Sequence, residues 1–207
     1  MAFFTPCLRR WRGLDLLALI LLWLCLIAPA WAQVPVEASN LITEREGDAV
    51  LLSTTLKFEL SPSMEDALLK GVALVFVAEA EVVRERWYWT NKRVAHAQRQ
   101  MRLAYQPLTG RWRLNLTAGL PSQEGTGVGL NQTFDTLGEA LAVLRRLSRW
   151  RVADTADIEA DQRHRLDFRF HLDTNQLPRL FQIGSLGQSE WTLNLQIEQP
   201  LRLDAAR

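Results

Sequence analysis

From Gly71 to Thr90 the chain runs without turn punctuation, GVALVFVAEAEVVRERWYWT, and its apolar residues alternate. Val72, Leu74, Phe76, Ala78, Ala80 and Val82 share one parity, and Ala73, Val75, Val77, Glu79, Glu81 and Val83 the other. A period of two, with one apolar and one mixed face, predicts a half-buried β-strand. The pair Val82-Val83 then hands the apolar role to the parity of Glu85, Trp87 and Trp89, which predicts a bulge or sharp bend near Val82. Ala, Glu and Arg between Ala78 and Arg86 are good helix formers, so helix is the rival reading. Gly71 in front, with β-branched and aromatic residues at both ends, favours strand.

Similar patterning recurs on both sides. Val36 to Thr43 and Ala49 to Leu60 flank Arg45-Glu46-Gly47-Asp48 and predict a hairpin. A short helix follows, with Ser61 as N-cap, Pro62 in its first turn, Glu65 and Asp66 near its positive end and Gly71 as its stop. Past Asn91-Lys92, Arg93 to Tyr105 predicts another strand, polar enough for a sheet edge. Pro107 to Gly110 turns the chain into Arg111 to Ala118, where Trp112, Leu114, Leu116 and Ala118 point one way. Gly119 to Thr133, with Gly119, Gly125, Gly127 and Gly129, predicts a loop. Thr136 and Glu139 have capping-box spacing, and Leu137, Leu141, Leu144 and Leu147 trace the stripe of a second helix. That reading puts Arg145, Arg146, Arg149 and Arg151 at the helix C-terminus, around Trp150. Arg163 to Asp173 alternates most cleanly, with His164, Leu166, Phe168, Phe170 and Leu172 on one face. Pro178, Gly184 and Gly187 mark loop, and Trp191, Leu193, Leu195 and Ile197 a last strand. About seven strands and two helices predict an α+β fold, mainly antiparallel β, a sandwich or half-open barrel with two short helices.

The N-terminus is patterned differently. Arg9, Arg10 and Arg12 precede the Leu-rich run Leu16 to Ala28, and Ala30-Trp31-Ala32 has a small-x-small form. This predicts a secretory signal peptide over residues 1–32, cut after Ala32, and a single periplasmic β-rich domain over residues 33–207. An uncleaved anchor, the rival, needs an apolar run of about 20 residues. Leu22-Trp23-Leu24 before Cys25 is too bulky for a lipoprotein signal, and Arg9-Arg10 alone is weak evidence for twin-arginine export. The chain's two cysteines, Cys7 and Cys25, both fall in this segment, leaving the rest without disulfide, thiolate ligand or cysteine nucleophile. Taking Arg9, Arg10, Arg12 and Asp15 from 24 basic and 23 acidic residues leaves 21 and 22, a net charge of −1. A nucleic acid finds no electrostatic footing there.

Each candidate chemistry meets a plainer explanation. Gly125, Gly127 and Gly129 precede a helix but lack the Lys-Ser/Thr ending of a phosphate loop. His96, His164 and His171 fall on different strands or opposite faces, whereas a metal needs converging ligands. Asp167, His171 and Asp173 share a face with Arg163, Arg165 and Arg169, which reads as ion pairing on a wet sheet face. Ser185, between Gly184 and Gly187, misses the nucleophile-elbow spacing. Glu79, Glu81 and Glu85 have the residue type of a glycosidase pair but fit a solvated strand face better. No catalytic, cofactor-binding or metal residue, and no cofactor, is therefore expected. Contact surfaces are a different matter. Trp87 and Trp89 suit core packing or an apolar partner surface, and Arg145, Arg146, Arg149 and Trp150 suit helix-end electrostatics or an acidic partner.

Several of these stretches carry a resemblance. The leader, EDALLKG at residues 65–71, RWYW at 86–89, Leu103-Ala104-Tyr105, Leu108-Thr109, Leu177-Pro178 and Trp191 resemble a proteobacterial family of exported proteins of unknown function. Members of that family are often encoded beside a membrane sensor kinase of the nitrogen-regulation type, which implies a role near the kinase's periplasmic side. The family has no established activity, so no functional residue carries over. The expectation is a non-enzymatic protein-binding module of the envelope, with an envelope protein such as that kinase as partner and at most peripheral membrane contact. A periplasmic carrier of a lipid or small apolar ligand is the alternative, and a hydrolase ranks below both.

Overall fold

In the computed structural model, which describes residues 36–86, 91–119, 129–159, 161–179, 181 and 191–205, ten strands form two sheets. The strands are β1 (Glu37–Glu46), β2 (Ala49–Lys57), β3 (Leu74–Arg84), β4 (Lys92–Gln106) and β5 (Arg111–Gly119), followed by β6 (Gly129–Phe134), β7 (Arg146–Asp154), β8 (His164–Leu172), β9 (Asn194–Pro200) and β10 (Asp204–Ala205). Two short helices, α1 (Pro62–Leu69) and α2 (Leu137–Leu144), join them. One sheet is ordered β10-β1-β2-β7 and the other β6-β5-β4-β3-β8-β9. Every pairing is antiparallel except β1 with β10. The fold is the expected α+β arrangement, mainly antiparallel and built as a sandwich.

Alternation explains the layers. Phe76, Ala78, Ala80 and Val82 of β3 are buried with Met101 and Leu103 of β4 and with Phe168 and Phe170 of β8. They share one core with Val50, Leu52 and Leu56 of β2 and with Leu147, Trp150 and Val152 of β7. Phe58, Phe76 and Phe170 fill its middle, their ring centroids 5.4 to 6.0 Å apart. The opposite face of the larger sheet is mixed: Val75, Val77 and Val83 are buried on it, and charged side chains pair across it. There Arg165 grips Asp167 through two hydrogen bonds of 2.7 and 3.0 Å, and Arg93 meets Glu81 at 3.0 Å.

The local signals read at the helices have their physical counterparts. Ser61 accepts from the Met64 amide at 3.2 Å and caps α1. At its far end the Gly71 amide bonds Leu68 and the Val72 amide bonds Ala67, a Schellman ending that needs the positive φ of 85° at Gly71. Thr136 and Glu139 close the capping box of α2 from both sides, at 3.3 and 3.4 Å. In the first hairpin Gly47 takes φ 59° in the two-residue turn, the conformation that favours glycine there.

Four expectations need correction. The extra residue near Val82 lies in β4: Val82 faces Ala95 and Val83 faces Arg93, leaving Val94 unpaired. β3 stays in step with β8, so the apolar role does not change sides, and Val83 is buried on the outer face. β4 is central, because all its polar side chains but Arg99 belong to the outer face while Ala97, Met101 and Leu103 point inward. The predicted loop contains β6, a polar edge strand, with residues 120–128 outside the described ones. The second helix stops at Leu144. The Leu56 amide bonds the Arg145 carbonyl at 2.8 Å, and Arg146 to Asp154 become β7 against β2, so Leu147 belongs to a strand.

Two bulges bend the smaller sheet at one level. Asn40-Leu41 of β1 oppose Thr54, and Ser148-Arg149 of β7 oppose Ser53. Asn40 (φ 56°) and Arg149 (φ 48°) take left-handed conformations there. β2 supplies hydroxyls for both: Ser53 accepts from the Arg149 amide at 3.0 Å, and Thr54 donates to the Ser39 carbonyl at 3.1 Å. One flank of the sandwich is closed where the chain crosses from β9 to β10. There the Thr43 hydroxyl donates to the Arg202 carbonyl, and Gln199 reaches the Leu41 carbonyl at 3.2 Å. On the other flank α2 packs against β5, β6 and β7.

Candidate functional site

The structure separates the predicted contact residues. Trp87 and Trp89 lie outside the described residues. Trp150 is only 3% exposed and belongs to the core, because the Arg149 bulge turns it inward; its indole meets Arg99 rather than a partner. Arg145 is a packing residue: its guanidinium lies 5.2 Å from the Phe58 ring centroid and donates to the Phe58 carbonyl at 2.5 Å. Arg149 pairs with Glu46, and Arg151 with Asp154 at 2.6 Å and Asp48 at 3.4 Å. The hydrogen bond and charge of Asp154 hold the Arg151 guanidinium above its usual range. Most of the arginine cluster is thus neutralised within the chain. Arg146 is exposed and makes no ion pair among the described residues.

Sequence reading passed over Arg99. It occupies the inward parity of β4, between Ala97 and Met101, and faces Ala78 of β3. Its guanidinium lies 5.3 Å from the Trp150 ring centroid, with no hydrogen bond or ion pair among the described residues. Burial pushes it below the usual arginine range. The signal was present as an arginine in the apolar phase of an alternating strand, but the polarity of the other phase masked it.

The surroundings of Arg99 are uneven. On β5, Trp112 and Leu114 are buried beside α2, whereas Leu116 is only half-buried. Leu116 faces Leu130 of the edge strand β6, and Leu130 is 52% exposed. Among the described residues this face is thus more exposed at Leu116 and Leu130 than at Trp112 and Leu114. That part of the flank, bordered by the edge strand β7, is the candidate site.

Elsewhere, a cleft of about 320 Å³ lies among Leu41, Ile42, Thr43, Gln199, Pro200 and Arg202, where the closed flank is stitched together. The histidines stay apart: His164 is buried, with Nδ1 3.1 Å from the Gln162 carbonyl, while His96 sits 4.0 Å from Glu81. Asp173 leaves the outer face to cap a 3-10 turn, accepting from the Asn175 amide at 3.1 Å. Among the described residues no three His, Cys, Asp or Glu gather as metal ligands.

A family model matches residues 34–199, the greater part of the chain. The chain belongs to the DUF4390 family, a domain of unknown function. No curated protein and no solved structure matches it. The span matched as DUF4390 begins where the compact unit Val34–Arg207 begins, and it takes in both sheets except β10. Chemically, this flank of the DUF4390 domain offers, among the described residues, a half-buried cation on the same face as the half-buried Leu116 and the exposed Leu130. Such a pair holds an anion with an apolar neighbour; it supplies neither nucleophile nor proton relay.

Proposed function

We propose that this DUF4390 domain is a non-enzymatic protein-binding module of the cell envelope. In this reading residues 1–32 are an export signal, the remainder works in the periplasm, and the partner is an envelope protein, a membrane sensor kinase being the one its family resemblance implies. The observation that carries the reading is the filled interior. Phe58, Phe76, Phe168, Phe170, Met101 and Trp150 fill the space between the sheets, so the described residues offer surfaces and edges more than an internal chamber for cargo. The common start of the family match and the compact unit supports treating the leader as a separate segment.

The test is site-specific photocrosslinking in cells, with the reactive residue at position 146 on β7 or at position 198 on the outer face of the larger sheet. A membrane-protein adduct from position 146 and none from 198 is the expected result. An empty lane from both, with lipid extracted from the purified protein, would replace this reading with that of a carrier. N-terminal sequencing of the exported protein is expected to begin at Gln33; an intact Met1 would make the leader an anchor.

A further inference from the structure

We infer that the flank between β7 and the β5–β6 edge receives a short acidic segment of a partner protein, with one of its carboxylates seated on Arg99. This rests on the protein-binding reading and gives that module a surface and a partner chemistry. Contrast among the arginines of this flank carries the inference. Arg149 and Arg151, on the outer face of β7, have acids of the chain beside them, and Arg145 has a backbone carbonyl. Arg99 faces inward, pays the desolvation of a half-buried site, and among the described residues has only the Trp150 ring to meet it. Packing alone would be served better at that parity by Met or Leu, as at positions 101 and 103.

The shape of the flank narrows the occupant. A guanidinium in a site of reduced dielectric favours a planar carboxylate, which it grips with two parallel hydrogen bonds. On the same face Leu116, opposite Met101 one register step along, and its partner Leu130 on β6 present aliphatic surface, which suits an apolar residue near the acid. A long acyl chain has little to follow, since Ala78, Ala80 and Phe168 are fully covered beneath. A peptide has more: β7 ends the order of its sheet and, among the described residues, leaves one side of its backbone without a strand partner. The bulges at Arg149 and Val152 interrupt that edge, which limits main-chain pairing to a few residues.

The probe is a fluorescein-labelled peptide of alternating Glu and Val, ten residues long, titrated into the full chain by fluorescence anisotropy. Peptides alternating Gln-Val and Lys-Val are its controls. Saturable binding of the Glu-Val peptide alone is expected, weakened about tenfold or more by Arg99→Met. Arg99→Lys keeps the charge without the fork and should fall between. Arg102→Gln, on the opposite face, should bind as the wild type does. Circular dichroism of each variant separates lost binding from lost fold, and Arg99→Lys decides if Arg99→Met does not fold. Equal affinity in Arg99→Met, or no saturable binding of the acidic peptide, overturns the inference. So does Arg99-dependent binding of dodecanoate without binding of the peptide, which would make the occupant an amphiphile. A crosslink from position 146 that persists while the peptide fails leaves the module reading intact and removes only this site.

Discussion

At the scale of single residues, Arg99 and Trp150 pull stability in opposite directions. The guanidinium of Arg99 is disfavoured by burial in the folded state, and no acid of the described chain offsets it. A base whose folded pKa is depressed destabilises the fold at every pH below that pKa. For arginine that covers the whole ordinary range, so the effect does not appear as a pH dependence. Substitution exposes it instead. Arg99→Met is expected to raise the unfolding free energy by about 1 kcal/mol, the gain typical when a residue kept for binding is replaced by one that packs. A urea titration checks this, and a lower midpoint would make Arg99 a packing element held by its contact with Trp150. Trp150 is the converse. It is buried between the sheets, and Trp150→Ala should cost roughly 3–5 kcal/mol through the cavity it leaves. Loss of partner binding in that variant would therefore report on folding and not on contact.

At the scale of elements, the parts legible in the sequence are those whose causes are local. Ser61, Pro62 and Gly71 define both ends of α1 within its own few residues, and Thr136 with Glu139 starts α2. Gly71→Ala should cost about 1 kcal/mol from the left-handed backbone alone, since a Cβ there meets nothing within 4 Å. Thr136→Ala should cost a similar amount, about 1 kcal/mol, by freeing the Glu139 amide. Both are read from thermal or urea midpoints, and a neutral result at either would mean that tertiary packing alone holds the helix end. β8 was legible because alternation reports burial on one face directly, and β3 in its inward parity, although Val75, Val77 and Val83 are buried on its other face as well. β7 was not. Leu137, Leu141, Leu144 and Leu147 continue a helical stripe on paper, and only pairing with β2, nearly a hundred residues away at Ser53 to Arg149, ends the helix at Leu144. β6 and β10 were missed for a different reason, one being polar and the other two residues long. The same limit hid the site. The parity of Arg99 could be read along β4, but its burial depends on Trp150, whose inward direction comes from the bulge at Arg149.

At the scale of the molecule, the sandwich is held by pairings between distant stretches, and its two flanks are closed by different means. α2 covers part of one, while the other depends on the last residues of the chain. Leu201 and Leu203 pack against the core, the Arg202 carbonyl accepts from the buried Thr43 hydroxyl, and β10 runs beside β1. The family match ends at residue 199, so this closing segment lies outside the matched span although the fold uses it. A chain ending at Pro200 should still fold, because β3, the best-buried strand, keeps both neighbours β4 and β8. Its stability should fall by roughly 2–3 kcal/mol, from two partly buried leucines and one buried hydroxyl left without its acceptor. Hydrogen exchange locates the loss. The amides of β1 should exchange faster in the shortened chain, while those of β3 and β8 keep their protection relative to the remaining global stability. Uniform loss across both sheets would instead mean that the two flanks close together as one cooperative unit, with the C-terminal crossing part of the folding core.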